Sequence, residues 1–130
     1  MLPLFLTLHI PSTAAGTADE WYVPMPAKGT WRLKSVKFAP ATAVAQNGTN
    51  YTTATVTKND GAAGADSAAL AVISTITTTG VALVLKTTVV PTLTQVTDFT
   101  ENQQIKVAKV ETGTGAILDG TFTFELEKIN

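Results

Sequence analysis

The side chains able to do chemistry in this chain are few, and their spacing brings little together. His9 is the only histidine, so a multi-histidine metal site is excluded and a His-centred triad has no spare partner. Within the apolar run MLPLFLTLHI it reads as a strand residue facing solvent or an interface. Ser12, Ser35, Ser67 and Ser74 lie in no GxSxG-like context. The stretch NDGAAGAD, residues 59–66, offers two acids and one side-chain amide, with alanines between them. A calcium loop needs about six or more oxygens, so this reads as a plain turn and loop. No Lys-Ser/Thr pair follows it, which removes the phosphate-loop reading. Glu125 and Glu127 share one face of a strand, the spacing of a solvated surface rather than of a paired-carboxylate hydrolase. The residues imply no catalytic group, no metal and no cofactor.

Aromatic and apolar residues are the better lead. Trp21 and Tyr22 are adjacent in a strand-like segment, so their side chains point to opposite faces. One belongs to a core; the other is exposed, at an edge or in an interface, where it can stack on a sugar or dock a protein. Leu4 and Phe5 occupy the apolar N-terminal run. These four are the candidate partner contacts.

The elements that must hold them are strands. The centre of the chain, GTWRLKSVKFAPATAVAQNGTNYTTATVTKNDG, reads as two long strands joined by a wide loop. WRLKSVKFA is closed by Pro40, and NYTTATVTK by the Asn59-Asp60-Gly61 turn signal. In the first, Trp31 and Leu33 share one parity and Val36 and Phe38 the other, which predicts a β-bulge near Ser35. The loop over 40–50 is an irregular crossover, and its two glycosylation-type sequons, at Asn47 and Asn50, read as turn chemistry.

MLPLFLTLHI lacks the basic start and uninterrupted apolar centre of a secretory signal and is too short to span a bilayer. It reads as an N-terminal strand or arm over 1–10. EWYVPM is a short edge segment because Pro24 and Pro26 lack donors. AALAVISTITTTG could begin a helix on its Ala/Leu half, but its Ile/Thr half favours a strand. VALVLKTTVVP reads as a strand with Val81, Leu83, Leu85 and Val89 on one face. QQIKVAKVETGTG changes parity between Val107 and Val110, which predicts a second bulge near Ala108. In TFTFELEKI, Phe122, Phe124 and Leu126 face in, and Thr121, Thr123, Glu125 and Glu127 face out. About eight strands and no helical period make a single all-β domain over 1–130. The expected architecture is a jelly-roll-like β-sandwich whose chain crosses between sheets.

At 130 residues such a domain buries roughly two-thirds of its unfolded surface, enough for a core without staples. There is no cysteine, hence no disulfide and no thiolate site. Nine basic and ten acidic residues are scattered, and no basic stripe marks a nucleic-acid partner. Arg32, Lys34 and Lys37 read as a solvated strand. Charged residues are 15% of the chain against roughly 25% in ordinary soluble domains. A surface so poor in charge suits a protein packed against other copies or another assembly.

The strand ending Val36-Lys37-Phe38-Ala39-Pro40, the Ala/Thr/Asn loop after it and the strand TNYTTATVTKNDG resemble the auxiliary capsid proteins of tailed bacteriophages, the decoration, cement or head-fibre proteins. The closing segments IKVAKVETGTG, AILDG and TFTFELEKI are similar too, so the resemblance runs from Trp21 to the C-terminus. Where the family pattern continues GDxLxV, this chain has ENQQIKV over 101–107. The resemblance implies a non-enzymatic structural protein on the outer surface of the virion capsid, made in the host cytoplasm. There it would bridge major capsid protein subunits as a homo-oligomer, a dimer or trimer, with no nucleic acid and no membrane as partner. The alternative is a carbohydrate- or receptor-binding β-sandwich of a phage fibre or adhesin.

Overall fold

The computed structural model describes residues 3–12, 16–26, 28–62 and 64–130. Met1 and Leu2 of the N-terminal arm, 13–15 of the next loop, and Ala27 and Ala63 of two turns lie outside them. Among the described residues eight strands form: β1 (Leu4–Ile10), β2 (Asp19–Pro24), β3 (Trp31–Pro40), β4 (Tyr51–Asn59), β5 (Ala71–Ser74), β6 (Asp98–Phe99), β7 (Gln104–Thr112) and β8 (Gly120–Lys128). They make two four-stranded antiparallel sheets, one in the order β1-β8-β3-β6 and the other β2-β7-β4-β5. We call them sheets A and B. Every connection except β4–β5 crosses from one sheet to the other, as the long loops predict. First-half strands pair with second-half strands, β1 with β8, β2 with β7, β3 with β6 and β4 with β5. That is the pattern of a chain doubled back on itself and wrapped across both sheets.

The core lies between the sheets. From sheet A come Ile10, Leu33, Val36, Phe38, Phe122, Phe124 and Leu126, and from sheet B Ala54, Val56, Ala71, Ile73, Ile105 and Val107. The parity change in β3 is a bulge, as its sequence predicts. Leu33 pairs with Leu126 and Ser35 with Glu125, which leaves Lys34 extra and exposed. Without it, Leu33 and Phe38 could not both face the core. Gly120 opens β8 at φ 142°, where a Cβ would overlap the Ala39 carbonyl oxygen, so only glycine fits this close approach.

Two sequence expectations fail. β7 has no bulge: its pairings with β2 and β4 run without a register shift, so Ile105, Val107 and Lys109 all face in and Val110 faces out. The inward position is filled by a charge because that charge is paired. Lys109 Nζ lies 2.8 Å from Glu111 Oε1, with the Lys109 side chain fully buried.

VALVLKTTVVP is not a strand. Lys86 takes a left-handed φ of 64°, which breaks extension. Only Leu83, bridged to Val44, and Val89, bridged to Phe38, keep strand-like pairing. Leu83 is buried, whereas Val81 and Leu85 stay exposed. A two-residue strand, β6, forms instead in the connection over 91–103, and the strand expected in AALAVISTITTTG shrinks to β5.

Candidate functional site

Strand alternation separates the four residues nominated from sequence. Leu4 faces inward from β1 and packs on the core, while Phe5 is 58% exposed, opposite Glu125 of β8. Trp21 packs on the core from β2, and Tyr22 is 43% exposed. The Tyr22 hydroxyl donates to Glu20 Oε2 at 2.6 Å, and its ring lies 6.0 Å from Lys106 Nζ. That hydrogen bond to Glu20 raises the Tyr22 pKa above its ordinary value. Phe5 is on the outer face of sheet A and Tyr22 on the outer face of sheet B. No single surface contains both.

The two outer faces differ in chemistry. On sheet A, Lys34 lies 3.5 Å from Glu127, Ser35 donates to Glu125 at 3.2 Å, and Lys37 is exposed. On sheet B the register builds rows across the strands. Val110 is beside Thr53 and Ser74, Glu20 beside Ala108, Thr55 and Val72, and Tyr22 beside Lys106 and Thr57. The charges gather along one margin, where Lys106 Nζ is 2.6 Å from Asp66 and 3.6 Å from Glu20. The rest of the face is Thr, Ala, Ser and Val, with Val110 55% and Val72 45% exposed. Past β5 it runs into a shallow groove of about 300 Å³ lined by Val72, Ser74, Thr79, Val81, Val90 and Pro91. Among the described residues no charged side chain lines that groove.

Sequence reasoning missed this face. The parity change read in QQIKVAKVETGTG places Val110 inside, and Val72 is one apolar residue beside a Thr-rich run. An uninterrupted period of two through QIKVAKVE, with Lys109 and Glu111 taken as an inward pair, is the signal that would have placed Val110 outside.

The Asn59–Asp66 loop is closed by hydrogen bonds among its own groups and to Gln104 of β7. Asn59 Nδ2 donates to Asp66 Oδ1 at 2.8 Å, Gln104 to Asn59 Oδ1 at 3.0 Å, and the Gly61 amide to Asn59 Oδ1 at 2.9 Å. The asparagines of both sequons also work in turns. Asn47 Oδ1 accepts from the Thr49 and Asn50 amides at 2.8 and 2.7 Å, and Asn50 Oδ1 from the Thr114 amide at 2.9 Å. Among the described residues no three acidic, His or Cys side chains gather in metal-holding geometry. No helix there is long and apolar enough to cross a membrane.

Hydrogen bonds from Asn59 and then Lys106 hold the Asp66 carboxyl below its ordinary value, and the bond from Arg32, at 2.8 Å, does the same for Asp98. Both carboxyls therefore stabilise the fold fully above the unfolded carboxylate value of about 3.9 and lose that contribution as pH falls through their lower folded values. Chemical denaturation of D66N/D98N is expected to give a shallower loss of stability below about pH 4 than the parent. Equal slopes would show that neither pairing matters to acid stability.

No family profile matches the chain, and neither a curated protein nor a solved structure proved significantly similar. What the described residues define is an antiparallel β-sandwich with one charged and one largely uncharged outer face.

Proposed function

We propose that this chain is a non-enzymatic structural protein that binds the outside of a tailed-phage head and stabilises it by bridging major capsid protein subunits. In this reading it works as a homo-oligomer, and the domain is a jelly roll. The strand orders 1-8-3-6 and 2-7-4-5, two interlocked Greek keys, support the jelly roll. The observation that carries the docking role is the outer face of sheet B. Its Thr53, Thr55, Val72 and Val110 form an uncharged patch, bordered on the β2 side by Glu20 beside Ala108, so most of the face can be covered at little cost in charge desolvation. Such a face gives modest affinity per copy. An oligomer bound at many equivalent sites gains the rest through avidity.

Co-sedimentation with heads assembled without the protein tests this. Saturation at a fixed ratio to the capsid subunit is expected, and V110K should weaken binding by about tenfold or more, at least ~1.4 kcal/mol. Absence of saturable binding would overturn the reading. The exposed Tyr22 keeps a carbohydrate- or receptor-binding module as the alternative. A Tyr22-dependent response to glycans, with no affinity for heads, would favour it.

A further inference from the structure

The four sheet edges are unequally guarded. β6 has two residues and β5 four, and β2 carries Asp19 and Glu20 at one end and the donorless Pro24 at the other. Short length, charge and proline are the usual means of keeping a sheet edge from pairing with another chain. β1 has none of them. It runs seven residues, LFLTLHI, between Pro3 and Pro11, with no proline, acid, lysine or arginine of its own and in unbroken register with β8. Among the described residues nothing pairs with its other edge.

We propose that β1 is a self-pairing edge. Two copies join β1 to β1, antiparallel about a twofold axis at Thr7, and their sheets A become one eight-stranded sheet. The occupant is a second copy because the strand is complementary to itself. The register that pairs all seven residues sets Leu4 against Ile10, Leu6 against Leu8 and Thr7 against Thr7. It also places Phe5 of one copy beside His9 of the other. Every core-facing residue then meets a core-facing residue, and no register slip is needed to keep the two inner faces continuous. The half-buried Leu4, Leu6 and Leu8 gain cover at the open side of the core, and the exposed Phe5 ring gains a cross-strand neighbour. The interface is isologous and closes at two copies.

This inference deepens the homo-oligomer part of the proposed function, and its test separates the two. The chain has no cysteine, so single cysteines report cleanly. Cα atoms directly opposite in an antiparallel pair are about 4.5–5.5 Å apart, within disulfide reach. Oxidised T7C is expected to run mostly as a covalent dimer, and H9C, whose counterpart is Phe5, as a monomer. T7K should shift the sedimentation mass from dimer to monomer while the far-ultraviolet β signature stays. A wild type that sediments as a monomer at every concentration tested, or a dimer in which T7C does not cross-link, would overturn the inference. Head binding without the T7C cross-link overturns it and leaves the capsid reading standing. The cross-link without head binding does the reverse.

Discussion

Phe122→Ala is expected to lower the unfolding free energy by about 3–5 kcal/mol, the usual cost of emptying a large aromatic site. Domains of this kind are stable by only about 5–15 kcal/mol, so the loss would take a large share of the total. Phe122 is fully buried and lies in register between Leu8 of β1 and Phe38 of β3. Its ring centroid is 4.6 Å from that of Phe38 and 5.8 Å from that of Phe124. The strands on both sides have fixed register, which leaves the cavity few ways to collapse. Urea denaturation should show a lower midpoint with an unchanged slope. A loss below about 1 kcal/mol would mean that the three phenylalanines do not form the keystone of sheet A.

The second large effect is expected at Glu111. Its Oε1 pairs with the buried Lys109, and its Oε2 accepts from Thr52 Oγ1 at 2.6 Å and from the Ala116 amide at 3.2 Å. Thr52 Oγ1 also accepts from that amide at 2.8 Å, so this cluster ties the loop before β8 to β4 and β7. E111A removes the carboxylate from a buried ammonium and should cost about 3–5 kcal/mol. K109M/E111L removes both charges and should cost clearly less than E111A alone, because no ion is left without its partner. The comparison needs only denaturation curves for the three proteins. A double variant worse than the single would assign the cluster's value to hydrogen bonding of the loop rather than to charge pairing.

The same cluster shows where the sequence could be read and where it could not. In β3 the parity change between Leu33 and Val36 predicts its bulge because both flanking pairs are apolar and must share one core. In β7 the same reasoning fails, because the inward position after Val107 belongs to Lys109 and not to Val110. Lys109 and Glu111 are two residues apart, share a face and neutralise one another, so the strand runs straight and Val110 turns outward. The alternation in VALVLKTTVVP is met by two single-residue bridges around a left-handed Lys86, a backbone state that no side-chain pattern encodes. Phe5 outward and the Trp21/Tyr22 split follow from alternation alone. The face of sheet B was hidden for another reason. Its patch exists only once β2, β7, β4 and β5 are neighbours, and strand order is set by long-range packing.

The most direct measurement is a binding isotherm on heads assembled without the protein, run for the parent, V110K and K37E side by side. Val110 is on the largely uncharged face of sheet B, and Lys37 is exposed on the outer face of sheet A. Docking through sheet B predicts saturable binding for the parent and K37E with equal stoichiometry, and a large loss for V110K. Binding that fails for K37E and survives V110K, or no saturable binding at all, would contradict it.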